Sequence, residues 1–355
     1  MIRLLLIIPT LDRCGAEKQL ALLATHLPRS RFEVHVCALT RGGPWRAELE
    51  AAGVPVEVIG KRGKLDPLAY WRLRRHIQRL RPQIVHTWLF AANSYGRQAA
   101  LAARVPHVLA SERCVDRWKM PYQFAIDRYL ARRTERITVN SEGVRRFYEL
   151  HAIPNEKLVV IPNGISVPAV SEASSNGGVR EELGLAPETK LVGCVNRLWP
   201  QKRVKDLIWA AHLLEVARGD TRLLVIGDGP QRWRLERYAR LVLDDPATVR
   251  FLGERYDVST LLPQLDAFWL GIGYEGMSNA LMEALAHGLP CVAGNLPGNR
   301  ELVEHTRHGA LVPVGDRAAF ARWTHKFFEE PAWAEELGQA ARSREGGSVS
   351  GPFES

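Results

Sequence analysis

Two glutamates stand eight positions apart in GYEGMSNALMEALAHGLP (273–290): Glu275 just before a helix start and Glu283 inside the helix. Gly288 and Pro290 close that helix. The amides of Gly276, Met277, Ser278 and Asn279 are the donors a helix N-terminus leaves without intrahelical partners, and they favour an anion. Ala280, Leu281, Ala284 and Leu285 form the packed face, which leaves Glu283 free of it. A carboxylate on each side of an anion site suits a ligand with hydroxyls at both ends and a phosphate between, such as a sugar joined to a ribose. The same residues also describe a capped amphipathic helix with two exposed acids, and the pair alone does not separate these readings.

A second pair of charges follows an earlier strand-like run. VNRLWPQKR (195–203) places Arg197 and Lys202 in one loop. A planar fork and a mobile point charge together fit a pyrophosphate, though a surface loop with two ordinary cations reads the same. VIGDGPQ (225–231) ends a strand in a tight turn where glycine lets backbone approach a ligand closely, or simply punctuates the chain. No Walker-type G-x-x-x-x-G-K-[ST] occurs, and no D-x-D that would chelate a divalent ion.

The elements that must position these groups follow from the rhythm of the chain. In the front half, continuous apolar runs at 2–8, 34–39, 54–59, 83–88, 107–112, 136–141 and 158–161 read as strands buried on both faces. Helical stretches such as 16–27 and 67–80 alternate with them, the pattern of a parallel, doubly wound sheet. The run NGISVPAVSEASSNGGV (163–179) breaks the rhythm, which then restarts at 190–195, 222–226, 249–252, 267–270, 290–293 and 310–314. The expected organisation is therefore α/β: a Rossmann-like domain at 1–165, a linker at 166–188, a second Rossmann-like domain at 189–340 and an irregular tail at 341–355. Two such sheets offer carboxyl edges that can face each other across a ligand cleft.

Composition narrows the class. The 355 residues are 46% hydrophobic and 25% charged, an ordinary globular balance for two domains. The opening MIRLLLIIPTLD is too short an apolar run for a signal-peptide core and reads as a first strand. No run reaches the length of a membrane span. Five cysteines without a C-x-x-C pair suit reduced thiols in the cytoplasm. Residues 1–165 carry 27 Lys/Arg against 14 Asp/Glu, whereas the remainder carries 21 against 25. A basic front half suits an anionic partner such as a phospholipid surface or a phosphorylated lipid. In RLRRHIQRLR (72–81), however, Leu73, Ile77 and Leu80 fall at helical spacing, so its arginines read first as a solvated face. Positive charge scattered over helix faces speaks against a nucleic-acid module.

The stretch EGMSNALMEALAHGLPCVAG resembles the signature of glycosyltransferase family 4, of the GT-B fold. The Arg197…Lys202 loop, IPNGI (161–165), GDGP and RELV (300–303) occur in that family's order, so the resemblance covers residues 2 to about 342. It implies two Rossmann-like domains and a retaining, metal-independent transferase that needs no cofactor and uses a UDP- or GDP-linked sugar as substrate. It further implies that Arg197 and Lys202 hold the diphosphate and stabilise it as leaving group, and that Glu283 binds the ribose. Glu275 would contact the donor sugar and support developing oxocarbenium charge, while Gly15, in RCGAEKQ, brings backbone amides from the front domain. The acceptor, a saccharide or a lipid-linked one, belongs to the front domain, with His86, Glu112 and Arg113 as candidate residues at strand ends. Trp118, Met120, Tyr122 and Phe124 follow in an aromatic, basic stretch that suits either a lipid or a packed helix. The expected setting is envelope or exopolysaccharide assembly, in the cytoplasm and peripheral on the inner membrane face.

The chain also departs from the resemblance. Cys14 stands for the first of two glycines, Asn196 and Arg203 for the glycines flanking the Arg…Lys loop, and Gly271-Ile272 for Pro-Ser. Glu112 and Arg113 lie where many relatives carry His. The ending EGGSVSGPFES shows no helical pattern where the family continues through a final helix, and is read as truncated. A nucleotide-sugar-binding protein without turnover, and an epimerase or hydrolase on the same fold, are the alternatives.

Overall fold

The computed structural model of the protein describes residues 1–165 and 178–349. The chain divides into two units, Met1–Gly164 and Ile165–Ser355. The first unit is built on a parallel sheet of seven strands: β1 (Ile2–Thr10), β2 (Phe32–Arg41), β3 (Val56–Val58), β4 (Ile84–Trp88), β5 (His107–Glu112), β6 (Arg136–Val139) and β7 (Leu158–Val160). Their spatial order is β3-β2-β1-β4-β5-β6-β7. The second unit repeats the theme with β8 (Lys190–Val195), β9 (Thr221–Ile226), β10 (Val249–Gly253), β11 (Ala267–Leu270), β12 (Cys291–Gly294) and β13 (Ala310–Val312). Their order is β10-β9-β8-β11-β12-β13. Each order reverses beside the unit's first strand, and at such a switch point the loops leaving the carboxyl ends open a ligand crevice.

Continuous apolar runs become central strands because both faces of each sheet are covered. In β1, Leu5 and Ile7 enter one core cluster, whereas Leu4, Leu6 and Ile8 enter the opposite one. In the second unit, Trp269 lies in one cluster and its neighbours Phe268 and Leu270 in the other. The two-residue period of a strand dictates this division, and each fully buried aliphatic side chain contributes about 1.5–3 kcal/mol. Trp269 is fully buried, and its indole Nε1 donates to Thr324 Oγ1 at 2.6 Å. All five cysteines are free.

Two expected boundaries change. Most of the expected linker, 166–177, lies outside the described residues. Of the rest, Val179 is buried in the second unit's core and the Val179–Glu182 helix belongs to that unit. Of the tail expected to be irregular at 341–355, residues 341–349 instead continue the helix Pro331–Val349, and 350–355 lie outside the described residues. Ala334, Leu337 and Ala341 are its buried positions, spaced three and four apart on one face. Gly338 lies against the backbone carbonyl of Gly288, where a Cβ would collide. That close contact fixes the helix against the end of the Asn279–Ala286 helix.

Candidate active site

In the second unit, three loops leaving the carboxyl edge are joined by backbone hydrogen bonds. Leu198 N donates to Asp228 O (2.9 Å) and Gln231 N to Leu198 O (3.1 Å), linking the loops after β8 and β9. Gly273 N donates to Gln201 O (2.8 Å), linking the loop after β11 to the Arg197–Lys202 loop. Gly227 is required here: its φ is +125°, and a Cβ would run into the Asn196 carbonyl. Gly298 is required for a similar reason, since its Cα packs directly on the Gly276 carbonyl. The GDGP turn is thus structural as well as local punctuation.

These joints bring together groups far apart in sequence. Lys202 ends the short turn Pro200–Lys202, and its Nζ donates to Glu275 Oε1 at 2.7 Å. Both side chains are half-buried. The second carboxylate oxygen, Glu275 Oε2, is buried without a protein partner, as is Asn196 Nδ2 at the end of β8. An ammonium has three donors, so Lys202 neutralises Glu275 and keeps two for an anion. Arg197 is exposed in the same loop, its guanidinium carbon 5.4 Å from the Trp199 ring centroid. Arg203 turns the chain into the Val204–Arg218 helix with φ +50°, a conformation glycine adopts more readily.

The helix opened by the glutamate stretch runs Asn279–Ala286, with Ser278 as N-cap: its hydroxyl accepts from Leu281 N at 3.4 Å. Gly276, Met277 and Ser278 are buried in the turn, and Glu283 is half-buried on the helix. Met282 packs inward with Leu281, Ala284 and Leu285, so the apolar face is wider than the sequence suggests. Residues 271–276 (GIGYEG) also have the spacing G-x-G-x-x-G, between a strand and a helix. They follow the fourth strand of their unit, not the first strand, where the dinucleotide fingerprint belongs. Among the described residues, no group of three or more His, Cys, Asp or Glu is placed to hold a metal ion.

The first unit's carboxyl edge holds the other candidates. Gly15 is the first residue of the Gly15–His26 helix, directly after the β1 loop. Farther along this helix, Gln19 holds Gly164 in both directions: Nε2 donates to Gly164 O (2.6 Å) and Gly164 N donates to Oε1 (2.9 Å). His86 and Trp88 lie two apart on β4, with ring centroids 5.2 Å apart. Burial, then the nearby Arg113 charge, lower the His86 pKa to about 3, so its imidazole is neutral at physiological pH. Arg113 is half-buried, its guanidinium 5.0 Å over the Trp88 ring and hydrogen-bonded to Asn163 Oδ1. Burial lowers its pKa to about 10, which leaves it charged.

Glu112 does not join them. It is turned into the protein, 3% exposed, accepting from Asn93 Nδ2 (2.9 Å) and Tyr148 Oη (3.0 Å), with Lys119 Nζ at 3.4 Å. Lys119 also binds Asp127 (2.9 Å) and Asp116 (3.3 Å), and Asp127 holds Arg97 at 2.8 Å. Burial raises the Glu112 pKa to about 7, against the opposing pull of Lys119. As a contact for an acceptor, Glu112 is corrected to a buried support. Ala110, two residues earlier on the same face of β5, is a core residue. In the aromatic stretch, Trp118, Met120 and Tyr122 are exposed, whereas Phe124 is buried and stacked on His151 at 3.9 Å.

Comparison with known proteins places this arrangement. Residues 14–167 match the family model described as Glycosyltransferase Family 4, and residues 189–330 match that described as Glycosyl transferases group 1. The chain is 31% identical over 249 residues to the Escherichia coli UDP-Gal:alpha-D-GlcNAc-diphosphoundecaprenol alpha-1,3-galactosyltransferase, covering 67% of this chain and 64% of that protein. It is 29% identical over 321 residues to the GDP-mannose-dependent alpha-mannosyltransferase of Mycobacterium tuberculosis (strain CDC 1551 / Oshkosh), covering 85% and 81%. The chain thus spans less than two thirds of the first of these relatives. Anabaena HepE in complex with UDP-glucose superposes with a TM-score of 0.85 at 23% identity, covering 98% of this chain and 95% of that one. At that identity the likeness establishes the fold, which is GT-B.

Proposed function

The chain belongs to glycosyltransferase family 4, and from that premise we propose that it moves a hexosyl or N-acetylhexosaminyl group from a nucleoside-diphosphate sugar to a lipid-linked saccharide. The observation that carries this reading is the Lys202–Glu275 pair at 2.7 Å, with Glu275 Oε2 left over in a buried position. A lone pair of that kind accepts a hydroxyl proton from a bound sugar. Uridine is the favoured base, because the first relative uses a UDP-linked donor.

In the proposed reaction the bond between the sugar's anomeric carbon and the diphosphate oxygen breaks. The acceptor oxygen bonds to that carbon on the same face, and its proton passes to the departing phosphate oxygen. Exposed Arg197 and the two remaining donors of half-buried Lys202 meet the charge growing on the diphosphate. Glu275 supports positive charge on the ring, and Glu283 orients the ribose hydroxyls. The amides at Gly276–Asn279 add neutral donors. Exposed Trp118, Met120 and Tyr122 in a basic unit support peripheral contact with an anionic membrane surface. No helix among the described residues is long and apolar enough to cross a membrane.

The test is calorimetric titration with UDP and with GDP, chelator present, on the wild type, Arg197→Ala and Glu283→Ala. Micromolar binding of UDP, weakened in both variants, is expected. Binding unaffected by either substitution would overturn the assignment of these residues, and no binding of either nucleotide would overturn the transferase reading.

A further inference from the structure

The first unit buries two arginines in contrasting ways. Arg97 is 1% exposed and paired with Asp127 at 2.8 Å. Arg113, at the carboxyl end of β5, has no carboxylate partner among the described residues; the polar contact of its guanidinium there is the neutral amide of Asn163, and its flat face lies over Trp88. A guanidinium taken partly out of water without an anion is costly unless an anion completes it.

The surroundings point the same way. His86 Nε2, Trp88 Nε1 and Arg113 Nε are all buried without partners. Arg113 and Trp88 bring an N–H each, and the neutral His86 brings one when its proton sits on Nε2. Asn140, 1% exposed, donates its amide to the Arg113 carbonyl at 3.1 Å and leaves Oδ1, an acceptor, unpartnered. A set dominated by donors around one half-buried cation suits a ligand that only accepts, and the lone Asn140 oxygen suits an adjoining hydroxyl.

We propose that Arg113, with His86 and Trp88 around it, recognises a phosphate group on the acceptor, making Arg113 a determinant of acceptor specificity. This rests on the transferase reading above. The phosphate has two chemical sources, a lipid-linked diphosphate or a soluble phosphate ester, and the shared feature is the anion next to a sugar.

The experiment compares wild type, Arg113→Met and Arg113→Lys with UDP saturating the donor site. One arm titrates inorganic pyrophosphate. The other measures sedimentation with phosphatidylcholine vesicles containing a polyprenyl-diphosphate-linked N-acetylglucosamine, against vesicles containing the same sugar on a neutral lipid. At least tenfold weaker binding of the phosphorylated probe by Arg113→Met, with partial recovery in Arg113→Lys, is expected. Loss in the pyrophosphate arm assigns a soluble or exposed phosphate, and loss confined to the vesicles assigns the lipid source. Thermal stability of Arg113→Met is expected to match or exceed wild type, because an uncompensated buried charge is removed; a large drop would make Arg113 structural and overturn the proposal. Equal binding by wild type and Arg113→Met, or no binding in either arm, also overturns it. UDP affinity reports separately: if it stays within twofold in all three proteins, the transferase reading stands whichever way the anion result falls.

Discussion

The Lys119 network of the first unit and the Lys202–Glu275 pair of the second use the same residue types for opposite ends. Lys119, fully buried, meets three carboxylates and the Tyr148 hydroxyl, to which its Nζ donates at 2.7 Å. Lys202 meets one carboxylate, and that carboxylate keeps a bare oxygen. Where every group is partnered, charge is held for shape; where one is left over beside a mobile-capable cation, charge is held for a ligand. The contrast lies in satisfaction, since both pairs have hydrogen-bond geometry of similar quality.

The largest test of this contrast is Lys119→Met. It leaves Glu112, Asp116 and Asp127 with Arg97 as the one cation in the network, and removing one partner of a buried pair costs about 3–5 kcal/mol. For a unit of this size that is a fall in melting temperature on the order of 10 °C, read by thermal denaturation. UDP affinity, read well below the melting temperature, is expected to be unchanged. A melting temperature within a degree or two of wild type would show that the network is not structural.

Glu275→Gln should do the reverse. The pair is half-buried and one oxygen has no partner, so stability is expected to shift by about 1 kcal/mol or less. Transfer is expected to fall by roughly 10²–10³, the range for losing one preorganised electrostatic group in an active site. A kcat loss with little change in UDP affinity would place Glu275 at the sugar. A variant as active as wild type would remove it from the reaction.

The strands of both units were legible because strands buried on both faces are continuous apolar runs, and all thirteen lie where such runs occur. Glu283 and Lys202 could be singled out because each lies in a short local stretch, EGMSNALME and RLWPQK. The Lys119 network was not. Its members come from the β5 end, the loop after it, and three helices, and nothing local in ERCVDRWK tells that Glu112 turns inward. The helix Pro331–Val349 was misread for a different reason: EGGSVSGPFES carries no helical pattern, while the Ala334–Leu337–Ala341 face that holds the helix lies before it and is made mostly of small residues.

A smaller effect lies within the satisfied network itself. Tyr148 has one hydroxyl proton yet faces both Glu112 Oε2 (3.0 Å) and Asp116 Oδ2 (2.9 Å). It can donate to one, so the folded network favours an added proton, in line with a Glu112 pKa raised from 4.5 to about 7. The groups facing Glu112 are Lys119, Asp116, Asp127, Arg97, Tyr148 and the Asn93 amide. Because the folded state binds this proton more tightly than the unfolded chain, its contribution is complete below about pH 4.5. It is lost as pH rises from there through about 7. Denaturant unfolding between those pH values should show wild-type stability declining relative to Glu112→Gln; parallel curves would mean Glu112 is ionised throughout.

The smallest effect separates a departure in sequence from a departure in energy. Arg203 holds φ +50° where glycine would be unstrained, at a cost of roughly 1–2 kcal/mol. It is retained by its ion pair to buried Asp206 (2.6 Å), which Arg317 also binds at 2.8 Å. Arg203→Gly removes strain and one of two cations from Asp206, and adds the entropy of a glycine to the unfolded chain. These terms nearly cancel, so stability is expected to stay within about 1 kcal/mol of wild type, with UDP affinity unchanged. The sharper measurement is the double variant with Arg317→Ala. Once both cations are gone Asp206 is left buried and unpaired, and the loss should exceed the sum of the single losses. Simple additivity would mean that Asp206 does not hold Arg203 in its turn, and that the left-handed residue at the mouth of the donor loop is kept for some other contact.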